Sequence, residues 1–68
     1  MHVGLEEAAR QLEQAIHDAR VSFDCIALGN LDRAHTNAIT ARAALDAAEN
    51  AVRAALDARA ADEEAAAE

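Results

Sequence analysis

Proline, tryptophan, tyrosine and lysine are absent from this chain of 68 residues, and cysteine and phenylalanine each occur once. Without proline, no position is barred from the interior of a helix. A single cysteine cannot form an intrachain disulfide, and an unpaired thiol is typical of a reducing compartment. No apolar run approaches the roughly 20 residues needed to span a bilayer. The sequence therefore predicts a cytoplasmic protein with no disulfide framework and no membrane partner.

Positive charge is also scarce. Six arginines stand against thirteen acidic residues, which gives a formal net charge of −7 at pH 7. Nucleic-acid binding needs clustered basic side chains that displace counterions from phosphates. The first residues are acidic where a signal peptide would be basic. We expect no direct nucleic-acid binding and no secretory signal, and the Ala, Arg and Asp bias is typical of a GC-rich bacterial or phage genome.

Alanine is the most abundant residue. It supplies 21 of the 36 residues counted as hydrophobic, whereas Leu, Ile, Val and Phe together number 13. Because alanine is the strongest helix former, the sequence predicts an all-α protein. Domains below roughly 70 residues rarely bury enough apolar surface to be stable alone. We therefore predict association with a second copy or with a helical partner.

The helical sequence is interrupted at one place, Gly29 and Asn30. Glycine ends a helix in the left-handed conformation without steric cost, and asparagine is a favourable N-cap. We predict a turn here that joins two antiparallel helices, at about residues 5–28 and 31–59, in a hairpin that comprises residues 1–59. The alternative is one continuous helix of about 55 residues, since Gly and Asn weaken a helix without forbidding it.

Residues 60–68 form an acidic, alanine-rich tail. Its composition favours a helix, but acidic side chains near a helix C-terminus interact unfavourably with the helix dipole. We expect the second helix to fray past about Arg59 and the tail to serve as a solubilising segment.

Apolar residues in both predicted helices recur at alternating intervals of three and four, the spacing of a coiled-coil seam. We expect the two seams to pack against each other. The seam of the first helix comprises Leu5, Ala9, Leu12, Ile16, Ala19, Phe23 and Ile26. The seam of the second comprises Leu31, Ala34, Ala38, Ala41, Leu45, Ala48, Val52 and Ala55.

A stripe of small residues lies beside the first seam and leaves room for a closely approaching helix. The small residues recur every seven positions at Ala8, Ala15, Ser22 and Gly29.

The side of the first helix opposite the seam is polar and includes Gln11, Gln14 and Asp18, which predicts a solvated face.

Further apolar residues gather beside the turn. The last two turns of the first helix are apolar nearly all round, which is typical of a helix covered on more than one side. One antiparallel neighbour cannot cover both sides, so we predict a partner-binding surface in this region. Its residues are Val21, Phe23, Cys25, Ile26, Leu28, Leu31 and Ile39.

Three residues near the turn carry side chains capable of metal binding or catalysis: Asp24, Cys25 and His35. Structural zinc takes four ligands, often in paired spacings such as Cys-x-x-Cys or His-x₃-His, and neither spacing occurs. A cysteine–histidine nucleophile pair needs a pocket and an orienting third group, which two short helices do not supply. The sequence therefore predicts no catalytic residue, no metal, no cofactor and no small-molecule substrate, and we expect that the protein is not an enzyme.

The turn region resembles a single tetratricopeptide-type helical hairpin. In that family a glycine opens the turn, a large apolar residue follows two positions later, and alanines recur beyond it. The matching residues are Gly29, Leu31, Ala34 and Ala41. Ser22 and Ala38 match in part, Asp18 stands where the family has a tryptophan-type residue, and the closing proline is missing. The resemblance covers about half the chain and implies a hairpin with a short turn, but no array, because stacked repeats need about three units.

Three functions fit these features. The preferred one is a non-enzymatic interaction module, a small helical adaptor or regulatory subunit that dimerises into an antiparallel four-helix bundle. The second is a small chaperone-like subunit that folds fully only with a heterologous helical partner; in length and architecture the chain resembles the small co-chaperones of bacterial type III secretion. The third is an acidic inhibitor that mimics nucleic acid at a basic site, whose binding would weaken steeply with salt.

Overall fold

The computed structural model describes residues 3–67, with side-chain surroundings from residue 5 onward. Two α-helices make up this part of the chain, α1 (Val3–Ala27) and α2 (Leu31–Ala67), and they pack against each other. No strand occurs within residues 3–67. The prediction of an all-α chain with two packed helices is confirmed. Residues 1, 2 and 68, which the predicted hairpin and tail include, lie outside the described residues.

The end of α1 is closed by a glycine in the left-handed conformation. Gly29 has a φ of 76°, and its N–H donates to the carbonyl oxygen of Ile26 at 3.0 Å. The N–H of Asn30 donates to the carbonyl oxygen of Cys25 at 2.8 Å. This pair of bonds is the Schellman motif, which satisfies carbonyl groups that a helix C-terminus leaves without partners.

The same asparagine begins the next helix. Its Oδ1 accepts a hydrogen bond from the backbone N–H of Arg33 at 3.2 Å, and its carbonyl oxygen accepts one from the N–H of Ala34 at 3.0 Å. Asn30 is therefore the N-cap of α2, which begins at Leu31. Because one residue ends α1 and caps α2, the chain reverses direction without a longer loop.

Small side chains fill the space between the helices. We call the buried residues between α1 and α2 the contact face. Its apolar members are alanines and one cysteine, and no large side chain is fully buried in the described part of the chain. On α1 the contact face comprises Ala8, Ala15, Asp18, Ser22 and Cys25, and on α2 it comprises Ala34, Ala44 and Ala48.

The helix contact differs from the predicted pairing of two apolar seams. On α1 the small stripe beside the predicted seam faces α2, while Leu5, Leu12 and Ile16 are exposed. Two neighbouring stripes on α1 share the heptad spacing, and small side chains allow the closer approach of the two backbones. Of the predicted seam on α2, alternate members face α1, namely Ala34, Ala41, Ala48 and Ala55, whereas Leu31, Ala38, Leu45 and Val52 are exposed.

Two polar side chains are buried within this alanine-rich contact. Ser22 donates from Oγ to the carbonyl oxygen of Ala34 at 2.7 Å, a direct hydrogen bond between the helices. Asp18 is 6% exposed and accepts bonds from Nε2 of Gln14 at 3.1 and 3.2 Å. Asp18 is therefore not on a solvated face as predicted, since it falls on the small-residue side of α1. Every buried side-chain N or O atom in the described residues has a hydrogen-bond partner.

The second helix continues beyond the first. α2 runs to Ala67, so residues 60–67 are helical where the sequence predicts fraying. Alanine-rich sequence favours this continuation, and Arg59 forms an ion pair with Glu63 at 3.8 Å across one turn. The molecule measures 59 × 17 × 12 Å, which is one layer of two helices. Its radius of gyration is 16.6 Å, whereas a compact chain of this length would have about 11 Å.

Candidate protein interaction surface

One broad side of the two-helix layer carries most of the large apolar side chains. We call these residues the apolar face. They are between 37% and 72% exposed, although they include most of the large apolar side chains of the described residues. On α1 the apolar face comprises Leu5, Leu12, Ile16, Phe23 and Ile26, and on α2 it comprises Leu31, Leu45, Val52 and Leu56.

Helix geometry places the two rows on the same side of the layer. On α1 a large residue follows a contact-face residue by four positions, as Leu12 follows Ala8. The same offset recurs on α2, where Val52 follows Ala48. An equal rotation from the contact, taken on two antiparallel helices, points to the same side of the layer. The rows therefore form one surface that is two helices wide.

A groove at the open end of the hairpin shows this convergence directly. It is lined by Leu5 of α1 together with Val52, Ala55 and Leu56 of α2. Ala58, Arg59 and Asp62 continue the lining past the start of α1. A second, shallower depression lies on α1 alone, between Ile16, Ala19, Arg20 and Phe23. The apolar face therefore has one groove between the helices at the open end and a separate depression on α1.

The residues predicted as a partner surface beside the turn do not form one surface. Phe23, Ile26 and Leu31 belong to the apolar face. Helical periodicity places half-buried Val21 and exposed Leu28 toward the opposite side of the layer, and Ile39 on the outer edge of α2. Cys25 is 6% exposed and lies in the contact face, so it is not available to a partner. The apolar residues in the last turns of α1 thus lie on three different surfaces: the apolar face, the opposite side of the layer and the contact face.

Most of the apolar face was present in the predicted seams, but as an internal contact. Leu5, Leu12 and Ile16 were predicted to pack against the second helix of the same chain, and the structure places them on the surface instead. Leu56 lies off the predicted seam, because the heptad pattern continues from Val52 to Ala55, and its position off the seam predicts a place on the partner-binding surface. Its neighbourhood with Leu5 is visible only once the helices are folded together.

Charge is distributed unequally along the layer. Residues 3–27 contain five acidic residues and two arginines, for a net charge of −3, whereas residues 31–59 contain four of each and are neutral. Residues 60–67 of α2 add three acidic residues and no arginine. At the outer edge of the layer beside the apolar face, α1 carries Glu6 and Glu13, and α2 carries Arg42 and Arg53. All four side chains are exposed. Arg53 pairs with Glu49 at 3.2 Å within α2.

The residues considered for metal binding are not gathered into a site. Cys25 is buried, while Asp24 and His35 are exposed. Among the described residues, no group of three or more His, Cys, Asp or Glu side chains is arranged to hold a metal ion. Neither helix is long and apolar enough over residues 3–67 to cross a membrane.

Comparison with protein family models, with curated proteins and with solved structures finds no match to this chain.

Proposed function

We propose that this chain is a non-enzymatic protein–protein interaction module, a small helical adaptor or regulatory subunit that binds another helical surface through its apolar face. The observation that carries the proposal is that small apolar residues are buried between the helices while large apolar residues are exposed. The contact face buries alanine and cysteine, while nine larger apolar side chains remain exposed on one side. Contiguous exposed apolar patches on a protein surface mark sites of association.

The surface area of the hairpin supports the same conclusion. Its accessible surface is 5265 Å², whereas a compact monomer of this mass would expose about 4100 Å². A stable protein–protein interface buries about 800 Å² on each partner. The excess is of that order, so covering one face with a second helical layer would bring the molecule to the burial of an ordinary small domain.

Burial also explains why association is needed for stability. An alanine methyl group buries little apolar area, and burial of apolar area contributes only about 25 cal/mol per Å² to the free energy of folding. A core of five alanines and one cysteine therefore offsets little of the entropy lost on folding. A partner that covers the leucines and Phe23 would supply the missing burial.

Sedimentation velocity with paired variants tests the proposal. We expect the wild-type chain to sediment as an oligomer at micromolar concentration. Ile16→Asp should dissociate it, because the carboxylate would be buried in the association surface without a partner. The matched control is His17→Asp, which places the same residue one position along α1, on the polar side. A cooperatively melting monomer, or equal behaviour of the two variants, would contradict the proposal.

The second candidate is a chaperone-like subunit that covers the same face with a heterologous helical protein. The absence of a fully buried large side chain in the described residues favours this reading as well. The two readings differ in the isolated chain. A non-cooperative thermal transition by circular dichroism, together with a monomeric mass, would favour the heterologous partner over self-association.

A further inference from the structure

The two helices contribute unequally to the apolar face. α1 presents five bulky residues, with Ala9 and Ala19 among them, whereas α2 presents four, with Ala38 between Leu31 and Leu45. α1 carries a net charge of −3 over residues 3–27, whereas residues 31–59 of α2 are neutral and the negative charge of α2 is confined to Asp62, Glu63 and Glu64 in its extension. If a second copy of the chain covers this face, the inequality decides which helix lies on which.

Two symmetric arrangements can stack two such layers. With the two-fold axis parallel to the helices, each α1 lies on α2 of the partner, and the two turns are at the same end. With the axis across the helices, α1 lies on α1 and α2 on α2, and the turns are at opposite ends. Both arrangements are closed dimers in which the same patch is buried on each subunit.

We propose that the occupant of the apolar face is a second copy of this chain, with the two-fold axis parallel to the helices. The inference rests on the proposed function and specifies its partner. All four neighbouring helix pairs of this bundle are antiparallel, and each is formed by one α1 and one α2. The two α1 helices, each with a net charge of −3, then lie on a diagonal and are not packed side by side, which lowers their mutual repulsion; the acidic extensions of α2 lie at the same end and oppose part of this gain.

Individual charges at the edge agree with this pairing. Glu13 lies nine residues before Ser22, and Arg42 lies eight residues after Ala34. Because the hydrogen bond between Ser22 and Ala34 fixes the register, Glu13 and Arg42 lie at nearly the same height along the layer. A parallel two-fold axis preserves heights, so Glu13 meets Arg42 of the second copy. Within the described residues Arg42 has no ion pair within 4.0 Å.

Side-chain size favours the same arrangement. A helical side chain covers the turn that lies N-terminal to its own Cα. The ring of Phe23 therefore reaches the height of Ala38, and Phe23 of one copy fits over the smallest residue in the partner's α2 row.

The arrangement has a consequence at the ends of the bundle. α2 extends past the start of α1 by about 20 Å, since the register set by Ser22 and Ala34 leaves the last residues of α2 beyond Val3 at a rise of 1.5 Å per residue. With a parallel axis, both extensions project from the same end. With a crossing axis, they project from opposite ends. A distance between two labels on these extensions therefore separates the two arrangements.

The test is a pulsed electron-spin distance measurement on the dimer. A nitroxide is attached at Ala61→Cys, an exposed position on the extension of α2, in a Cys25→Ser background. We expect a distance of about 20–30 Å between the two copies, whereas opposite ends would separate the labels by more than about 50 Å. A label at His17→Cys, near mid-height, is the matched control, because both arrangements place it within measurable range.

The outcomes of this measurement separate the arrangement of the dimer from the proposed function. A short distance at position 61 supports the parallel axis. A long distance at position 61 with a measurable distance at position 17 overturns the arrangement but leaves the interaction module intact. A monomeric mass with no coupling at either position overturns self-association, and a monomer that also melts cooperatively overturns the interaction module as well.

Charge reversal gives an independent check of the arrangement. Glu13→Arg and Arg42→Glu should each weaken the dimer by about threefold, as expected for an exposed ion pair. The double variant should return to within about twofold of wild type, because the pair is restored with opposite sense. Additive weakening in the double variant would contradict the contact between Glu13 and Arg42 of the second copy.

Discussion

The contact face and the apolar face lie side by side on α1 and repeat with the same heptad spacing, yet one is buried and the other is exposed. Ala8 and Ala15 of the contact face are nearly inaccessible, whereas Ile16, one residue further along, is 66% exposed. The difference is one of side-chain volume. Small residues allow two helices of one chain to approach closely, and large residues are left for a second layer. Periodicity identifies both faces, but volume assigns them to different partners.

The largest effect should come from adding volume to the contact face. Ala48→Leu places three further carbon atoms where the side chain is 1% exposed. We expect a loss of about 3 kcal/mol in the free energy of unfolding, because an overpacked contact forces the backbones apart. Chemical denaturation followed by circular dichroism measures it.

The control for this change is Ala47→Leu, one position away on the surface. It should alter the free energy of unfolding by less than about 0.5 kcal/mol. If both substitutions were tolerated equally, the contact face would not be closely packed, and the contrast with the apolar face would fail.

Removing volume from the apolar face should have the next largest effect. The ring of Phe23 is 72% exposed, so Phe23→Ala should barely destabilise an isolated hairpin. The sequence alone predicts that the ring of Phe23 is buried in the helix seam, so that Phe23→Ala would cost roughly 3 kcal/mol of unfolding free energy, as for a core ring. Because the ring is exposed on the hairpin, we expect the loss in the free energy of association instead. We expect the dimer to lose at least about 2 kcal/mol, since buried aromatic residues dominate interface energies.

The dependence of the melting temperature on protein concentration shows whether Phe23→Ala weakens the dimer or the isolated hairpin. The melting temperature of a self-associating chain rises with protein concentration, and Phe23→Ala should reduce that slope. Leu28→Ala is the matched control, because Leu28 is 83% exposed and lies off the apolar face. An equal effect of the two truncations would mean that the apolar face is not covered.

A smaller effect should follow from removing the one side-chain hydrogen bond that joins the helices among the described residues. Ser22→Ala preserves the small volume of the contact face but deletes the donor to Ala34. We expect a cost of about 1 kcal/mol in unfolding free energy, because the carbonyl oxygen would stay buried with one bond fewer. Thr40→Ala is a control on the exposed surface, where the hydroxyl bonds only within α2. Equal losses would show that the bond between helices contributes no more than a local one.

Much of the fold was predictable, because its signals are local. Gly29 and Asn30 interrupt a helical sequence with the two residue types that end and cap helices, and the turn has that geometry. The contact face was not predictable from periodicity alone, since the stripes that contain Ala8 and Leu12 differ in size and not in spacing. Hydrophobic periodicity places Asp18 on the solvent-exposed face, because it treats every carboxylate as exposed. The structure buries this carboxylate, which accepts a hydrogen bond from Gln14. The candidate surface required the fold, because Leu5 and Leu56 meet only across the open end.

The smallest effect on stability should come from deleting residues 60–68, of which the described residues 60–67 are all exposed. The side chains of Arg59 and Glu63 are 70% and 73% exposed, so their ion pair adds little to the folded state. We expect the free energy of unfolding to change by less than about 0.5 kcal/mol. The helical signal per molecule should nevertheless fall, because α2 is helical to Ala67, whereas a frayed tail would remove almost no signal. A large loss of stability would mean instead that the association surface extends beyond the start of α1, past Asp62 at the end of the groove.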